Sequence, residues 1–140
     1  MMQRLPEPEL MDDSAQVTAY ANADFEAAHS AIVKDFSRVF PYIKTLDTVL
    51  DLGCGSADIA IRFARMFSSC KIDAVDGARN MLKKAQNFIA RESLEDRIAL
   101  HHYCLPNCGL PSKNYGAIVS NSLLHHLHEP QHLWSTIHKY

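Results

Sequence analysis

The stretch Thr48-Val49-Leu50-Asp51-Leu52-Gly53-Cys54-Gly55-Ser56-Ala57-Asp58 constrains the fold more than any other part of the sequence. A short apolar run from Val49 to Leu52 carries one acid, Asp51, and breaks into Gly-x-Gly. From there Ala60, Ile61, Ala64 and Phe67 recur at the period of an α-helix, so strand, tight turn and helix follow one another. The two glycines let the backbone take angles that a Cβ forbids and let a ligand approach the main chain closely. The helix aims free N–H groups and its positive dipole end at the turn, which favours an anionic ligand group such as a phosphate or a carboxylate.

The next segment, Lys71-Ile72-Asp73-Ala74-Val75-Asp76, reads as a second strand and ends in an acid 21 residues after Gly55. A carboxylate in that place can accept both hydroxyls of a ribose. The nicotinamide dinucleotide version of such a turn needs glycine or alanine at position 58, where helix and strand pack closely. This chain has Asp58 there, which sets a dehydrogenase well behind.

Along the rest of the chain, Asp12-Asp13-Ser14 can cap a short helix reaching about Asn22. A longer helix opened by Asp24 carries an apolar stripe of Phe25, Ala28, Ile32, Phe36 and Val39 and ends near Phe40, ahead of Pro41. Strands are expected over about 47–52, 70–76, 97–103 and 115–121, with helices over about 57–68 and 78–91. A last helical stripe, Leu133, Trp134, Ile137 and Tyr140, is opened by Pro130 near its first turn. Strands alternating with helices imply a parallel sheet covered on both faces, with right-handed crossovers.

These segments resemble the class I S-adenosylmethionine-dependent methyltransferases. The resemblance rests on Val-Leu-Asp-Leu-Gly-Cys-Gly at 49–55, Ala-Val-Asp-Gly at 74–77 with Met81-Leu82 behind it, and Tyr-Gly-Ala-Ile-Val-Ser-Asn-Ser-Leu-Leu-His-His-Leu at 115–127. It implies an α/β Rossmann-like fold with strand order 3-2-1-4. Residues 1–40 then form an N-terminal extension with lid helices, and 41–140 the cofactor-binding core, within one domain overall. It also implies S-adenosyl-L-methionine as cofactor, with Asp51, Gly53, Cys54 and Gly55 at its methionine end, Asp76 and Gly77 at the ribose, and Met81, Cys104 and Leu105 around the adenine. Asn121 at the end of strand four completes the set. The family usually places an acid where this chain has Cys104, a poor acceptor for the adenine amine. His125, His126 and Tyr20 are the candidates for a general base or an acceptor contact, and the acceptor is expected to be a small molecule.

Family members normally continue with further strands beyond the helix at Pro130. The sequence is therefore expected to be a truncated piece or to be completed by a second chain, most simply in a homodimer that buries strand four or the Trp134 helix. A cofactor-binding or interaction module without turnover is the alternative function.

Net charge of −2 and a pI of about 6.4 give no reason to expect nucleic-acid binding, and Lys83-Lys84 reads as a solvated helix face. No apolar run is long enough to cross a bilayer, and the first residues lack the apolar core of a signal peptide, so a cytoplasmic protein is expected. Cys54, Cys70, Cys104 and Cys108 read as free thiols. His128-Glu129-Pro130-Gln131-His132 spells a zinc-protease pattern, but Pro130 breaks the continuous helix that it requires. His101, His102, Cys104 and Cys108 match no standard zinc spacing, so no metal is expected.

Overall fold

The computed structural model of the chain describes residues 7–112 and 114–140; the first six residues of the expected N-terminal extension lie outside the described residues. The elements in chain order are α1 (Ser14–Asn22), α2 (Glu26–Val39), β1 (Thr48–Leu52), α3 (Asp58–Met66), β2 (Lys71–Asp76), α4 (Arg79–Arg91), β3 (Ile98–His102), β4 (Ala117–Val119) and α5 (Gln131–Lys139). The four strands form one parallel sheet in the order β3-β2-β1-β4. Register pairs Asp51 with Ala74 and Val119, so the carboxyl ends of β1, β2 and β4 lie side by side.

Alternation along β1 sends Val49 into a core shared with α2, α3 and α4, where Phe63, Ala64, Ile72 and Ile89 also lie. Leu50 and Leu52 face the opposite side, packed with Val75, Leu127 and Leu133 beneath α5. Helices therefore cover both faces. Asp13 caps α1, its Oδ1 accepting from the N–H groups of Ala15 and Gln16 at 3.1 and 3.0 Å.

Three expectations need correction. β4 is only three residues long: the Gly116 N–H still reaches the Thr48 carbonyl of β1 at 3.0 Å, but the Tyr115 N–H donates to the Tyr140 carbonyl, and the Ser120 hydroxyl donates to the Leu52 carbonyl at 2.9 Å. The inward face of α2 is turned by about one residue. His29 and Val33 are the buried positions, Ile32 and Phe36 of the expected stripe still pack against the same core, Ala28 lines a cavity, and Val39 is 57% exposed. On α5, Leu133, Ile137 and Tyr140 of the expected stripe pack against the sheet, and Trp134 stands 47% exposed.

The reason α2 turns is polar. Arg62 on α3 donates from Nε to Asp58 Oδ2 at 2.8 Å, from Nη2 to Glu26 Oε2 at 2.6 Å and from Nη1 to the Ser30 hydroxyl at 2.6 Å. His29 Nδ1 lies 2.7 Å from the same Asp58 oxygen. A buried histidine with a carboxylate partner is tolerated where an unpaired one is not. At the far end of α3, Arg97 fastens the carbonyls of Ala64, Phe67 and Cys70 at 2.7 to 3.1 Å.

Candidate functional site

The carboxyl ends of the strands open into a cavity of about 580 Å³. Its floor is Gly53 and Gly55 after β1, Asp76 and Gly77 after β2, and Asn121 to Leu123 after β4. Tyr103, Cys104 and Leu105 after β3 form one side, and Tyr20, Phe25 and His29 of the first two helices form the other. In open parallel sheets this is where ligands bind.

Both glycines of the turn have left-handed backbone angles, φ +75° at Gly53 and +54° at Gly55, which glycine adopts without a steric penalty. They do different things. A Cβ on Gly53 would lie 2.9 Å from Leu123, whereas one on Gly55 would meet only Tyr20 Cε1, at 3.9 Å. Gly53 thus lets the loop after β4 close down, and Gly55 leaves room above the turn.

The turn's own N–H groups are used internally. The N–H groups of Gly53 and Cys54 both donate to the Val75 carbonyl, at 2.8 and 2.9 Å, and that of Gly55 donates to Asp76 Oδ2 at 2.8 Å. The start of α3, whose free N–H groups were expected to aim at the ligand, lies outside the lining. What the turn offers is close backbone approach beside a carboxylate.

Asp76 is the best-placed of the candidates. Its Oδ1 accepts from the Ala78 N–H at 2.8 Å, so each carboxylate oxygen holds one backbone donor and keeps further lone pairs for a ligand. Burial pushes its carboxyl up, opposed by those two N–H donors and by nearby His126. Asp51 sits behind the turn, 2% exposed and outside the lining, with Oδ2 unpartnered. Burial, and then the charge of Asp76, push it up to about 7. Cys54 also lies outside the lining, and burial holds its thiol well above the usual range, leaving it inert as a nucleophile.

Met81 lines the cavity from the first turn of α4, packed with Val17, Ala78, Met11 and Tyr20. Gly77 is needed for contact: a Cβ there would lie 2.6 Å from Leu10 and 3.0 Å from Cys104 Sγ, so two segments converge on it. Tyr20 is pushed up by burial, then by the charges of Asp76 and Asp58, which keeps its phenol protonated. His125 and His126 stand at the rim with ring centroids 4.1 Å apart. His101 and His102 are sent elsewhere, to Asp73 at 2.6 Å and to the Gly77 carbonyl at 2.9 Å. His128 lies ahead of α5, with Nδ1 3.4 Å from Glu9 Oε2.

Sequence reasoning missed Glu7, Glu9, Leu10, His29, Tyr103 and Leu123 as lining residues. Only His29 left a trace, as a polar interruption one position from an apolar stripe.

A family model described as a methyltransferase domain matches residues 49–140. An uncharacterised methyltransferase of Mycobacterium tuberculosis is 35% identical over 81 residues, covering 58% of this chain and 38% of the relative. The chain thus spans about two fifths of the length of the curated relatives it matches. Its fold is similar to an S-adenosylmethionine-dependent methyltransferase from Aquifex aeolicus, with TM-score 0.75, 18% identity and coverage of 91% of this chain and 66% of that one. It is also similar to a Haemonchus contortus phosphoethanolamine N-methyltransferase in complex with phosphomonomethylethanolamine and S-adenosylhomocysteine, with TM-score 0.74, 21% identity and coverage of 90% and 30%. With the matched family model covering the turn, the second strand and the loop after β4, the chain belongs to the methyltransferase domain family.

Proposed function

We propose that the cavity binds S-adenosyl-L-methionine and that the protein transfers its methyl group to a small-molecule acceptor. The observation that carries this reading is the Asp76 carboxylate held by the Gly55 N–H at 2.8 Å, on the floor of the cavity beside the open face of Gly55. The residues fit the cofactor's parts. Asp76 suits the ribose hydroxyls, the Gly53–Gly55 turn suits the methionine end, and Met81 with Leu105 offers apolar surface to the adenine. Asp51 and Cys54 act from behind, by shaping the turn.

When bound, the sulfonium supplies an electrophilic methyl group with its leaving group already activated. The task left to this chain is to align an acceptor lone pair and to exclude water. Tyr20, Phe25 and Ile32 on one wall and Leu123 and Leu127 on the other supply the dry surface. Tyr20 serves as a hydrogen-bond donor, because its neighbours oppose loss of the phenol proton. Among the described lining residues there is no lysine or arginine, while Glu7, Glu9 and Asp76 are present. That balance suits a cationic cofactor and a neutral or cationic acceptor such as an amine.

A second reading is binding of the cofactor without turnover. Calorimetry with S-adenosylmethionine and S-adenosylhomocysteine, followed by an assay of S-adenosylhomocysteine release with simple amines, separates the two. Binding with turnover supports the first reading and binding without it the second. Failure to bind either compound refutes both.

A further inference from the structure

At the cavity rim the segment ahead of α1 meets the loop ahead of α5, and three donor atoms converge there. One carboxylate oxygen of Glu7 and one imidazole nitrogen each from His125 and His126 all lie within 4.8 Å of one another. Glu7 Oε2 and His125 Nε2 are 4.0 Å apart. Donors about 2.1 Å from a tetrahedral ion stand about 3.4 Å apart, so small side-chain rotations close the set. His126 carries a further feature. Its Nδ1 lies 3.0 Å from the Pro8 carbonyl, 118 residues away, an acceptor that holds the proton on Nδ1 and leaves the Nε2 lone pair for an ion.

We propose that Glu7, His125 and His126 bind one divalent transition-metal ion of the zinc class. Two imidazoles and one carboxylate suit zinc, cobalt or nickel, whereas magnesium and calcium favour all-oxygen sets. Three protein donors leave a position open for water or a ligand. The ion ties the residues before α1 to the loop after β4 across the mouth of the cavity, and Pro8 orients one ligand from behind. The neighbouring Glu9 and His128, 3.4 Å apart, supply only two donors and serve as the control. The sequence does not reveal the site, because Glu7 comes to the two histidines only through the fold.

The test uses the full chain, purified without a metal-affinity tag and dialysed against chelator. Zinc chloride is titrated by calorimetry and cobalt chloride by visible absorption, with circular dichroism to check each variant. One ion per chain is expected, with Glu7→Gln and His126→Asn each weakening binding by at least about tenfold. His128→Asn is expected to retain wild-type affinity, and magnesium chloride to give no saturable heat. Absence of one-to-one zinc binding overturns the proposal. Binding unchanged in both Glu7→Gln and His126→Asn, or abolished by Cys104→Ser, overturns it as well.

Discussion

Asp76 does two jobs, and substitutions can tell them apart. Its carboxylate supports the fold through the N–H groups of Gly55 and Ala78, both at 2.8 Å, and in the proposed function it also receives the ribose hydroxyls. In Asp76→Ala both N–H groups lose their acceptor. The Gly55 N–H lies at a cavity-lining residue where water can replace the carboxylate, but Ala78 is 2% exposed, so its donor is stranded at about 1–3 kcal/mol. For a chain of this size that lowers Tm by about 4 °C per kcal/mol. Loss of a pair of charge-assisted hydrogen bonds to the ribose costs about 2–4 kcal/mol of affinity, roughly 30- to 700-fold. Asp76→Asn keeps a carbonyl oxygen for the Ala78 N–H, so it should recover much of the stability while still binding the cofactor poorly. Calorimetry with S-adenosylhomocysteine and thermal melts on both variants give the two readouts. Affinity equal to wild type in Asp76→Ala refutes the ribose assignment, and a preference for NAD would point back to a dehydrogenase.

Asp51 is raised to about 7 when folded against about 3.9 in an unfolded chain, so between about pH 4 and 7 the folded state holds a proton that the unfolded state has lost. Its contribution is intact below pH 4 and lost as pH rises through 7, by up to about 4 kcal/mol. Asp51→Asn should therefore raise Tm more at pH 8 than at pH 5, and a lower Tm at pH 8 would contradict this. Gly53→Ala forces a Cβ into Leu123 at a left-handed angle and should cost about 1–3 kcal/mol in a urea melt. Gly55→Ala has room and should cost about 1 kcal/mol of stability, yet abolish most cofactor binding by filling the space above the turn. Arg62→Ala should destabilise the chain even in 1 M salt, because the guanidinium is only 14% exposed, whereas Glu26→Gln, at an exposed carboxylate, should matter only at low salt. Melts at two salt concentrations distinguish them.

The sheet was legible because its signals are local. The apolar runs at Val49 and Ile72 and the glycines after β1 gave the crossover, and the position of Asp76 gave the ligand end of the sheet. What escaped was decided by contacts distant in sequence. The periodicity of α2 shows an apolar stripe, but that helix faces a cavity on one side and α3 on the other, and the His29–Asp58 contact, 29 residues apart, fixes its rotation. The first N–H groups of α3 were expected to aim at a ligand in the turn, but the start of that helix lies outside the lining, and two of the turn's own N–H groups go to the Val75 carbonyl of the neighbouring strand. Glu7 and Glu9 carry no motif, and they reach the rim only because α1 packs along α4, with Asp12 Oδ1 accepting from the Asn80 N–H at 2.7 Å.

Arg97 ties the two crossovers of the sheet together. α3 ends at Met66 without a glycine cap, and the Ala64 and Phe67 carbonyls at its end are received by a side chain that follows 33 and 30 residues later, just ahead of β3. During synthesis β1, α3 and β2 emerge before Arg97, and the Phe67 carbonyl then has the Cys70 N–H, at 3.0 Å, as its local donor. The first crossover thus closes its helix end with local bonds, and Arg97 reinforces that end once β3 lies beside β2. One side chain therefore ties the β1-α3-β2 unit to the β2-α4-β3 unit, so local opening of either beneath the cavity loosens the other.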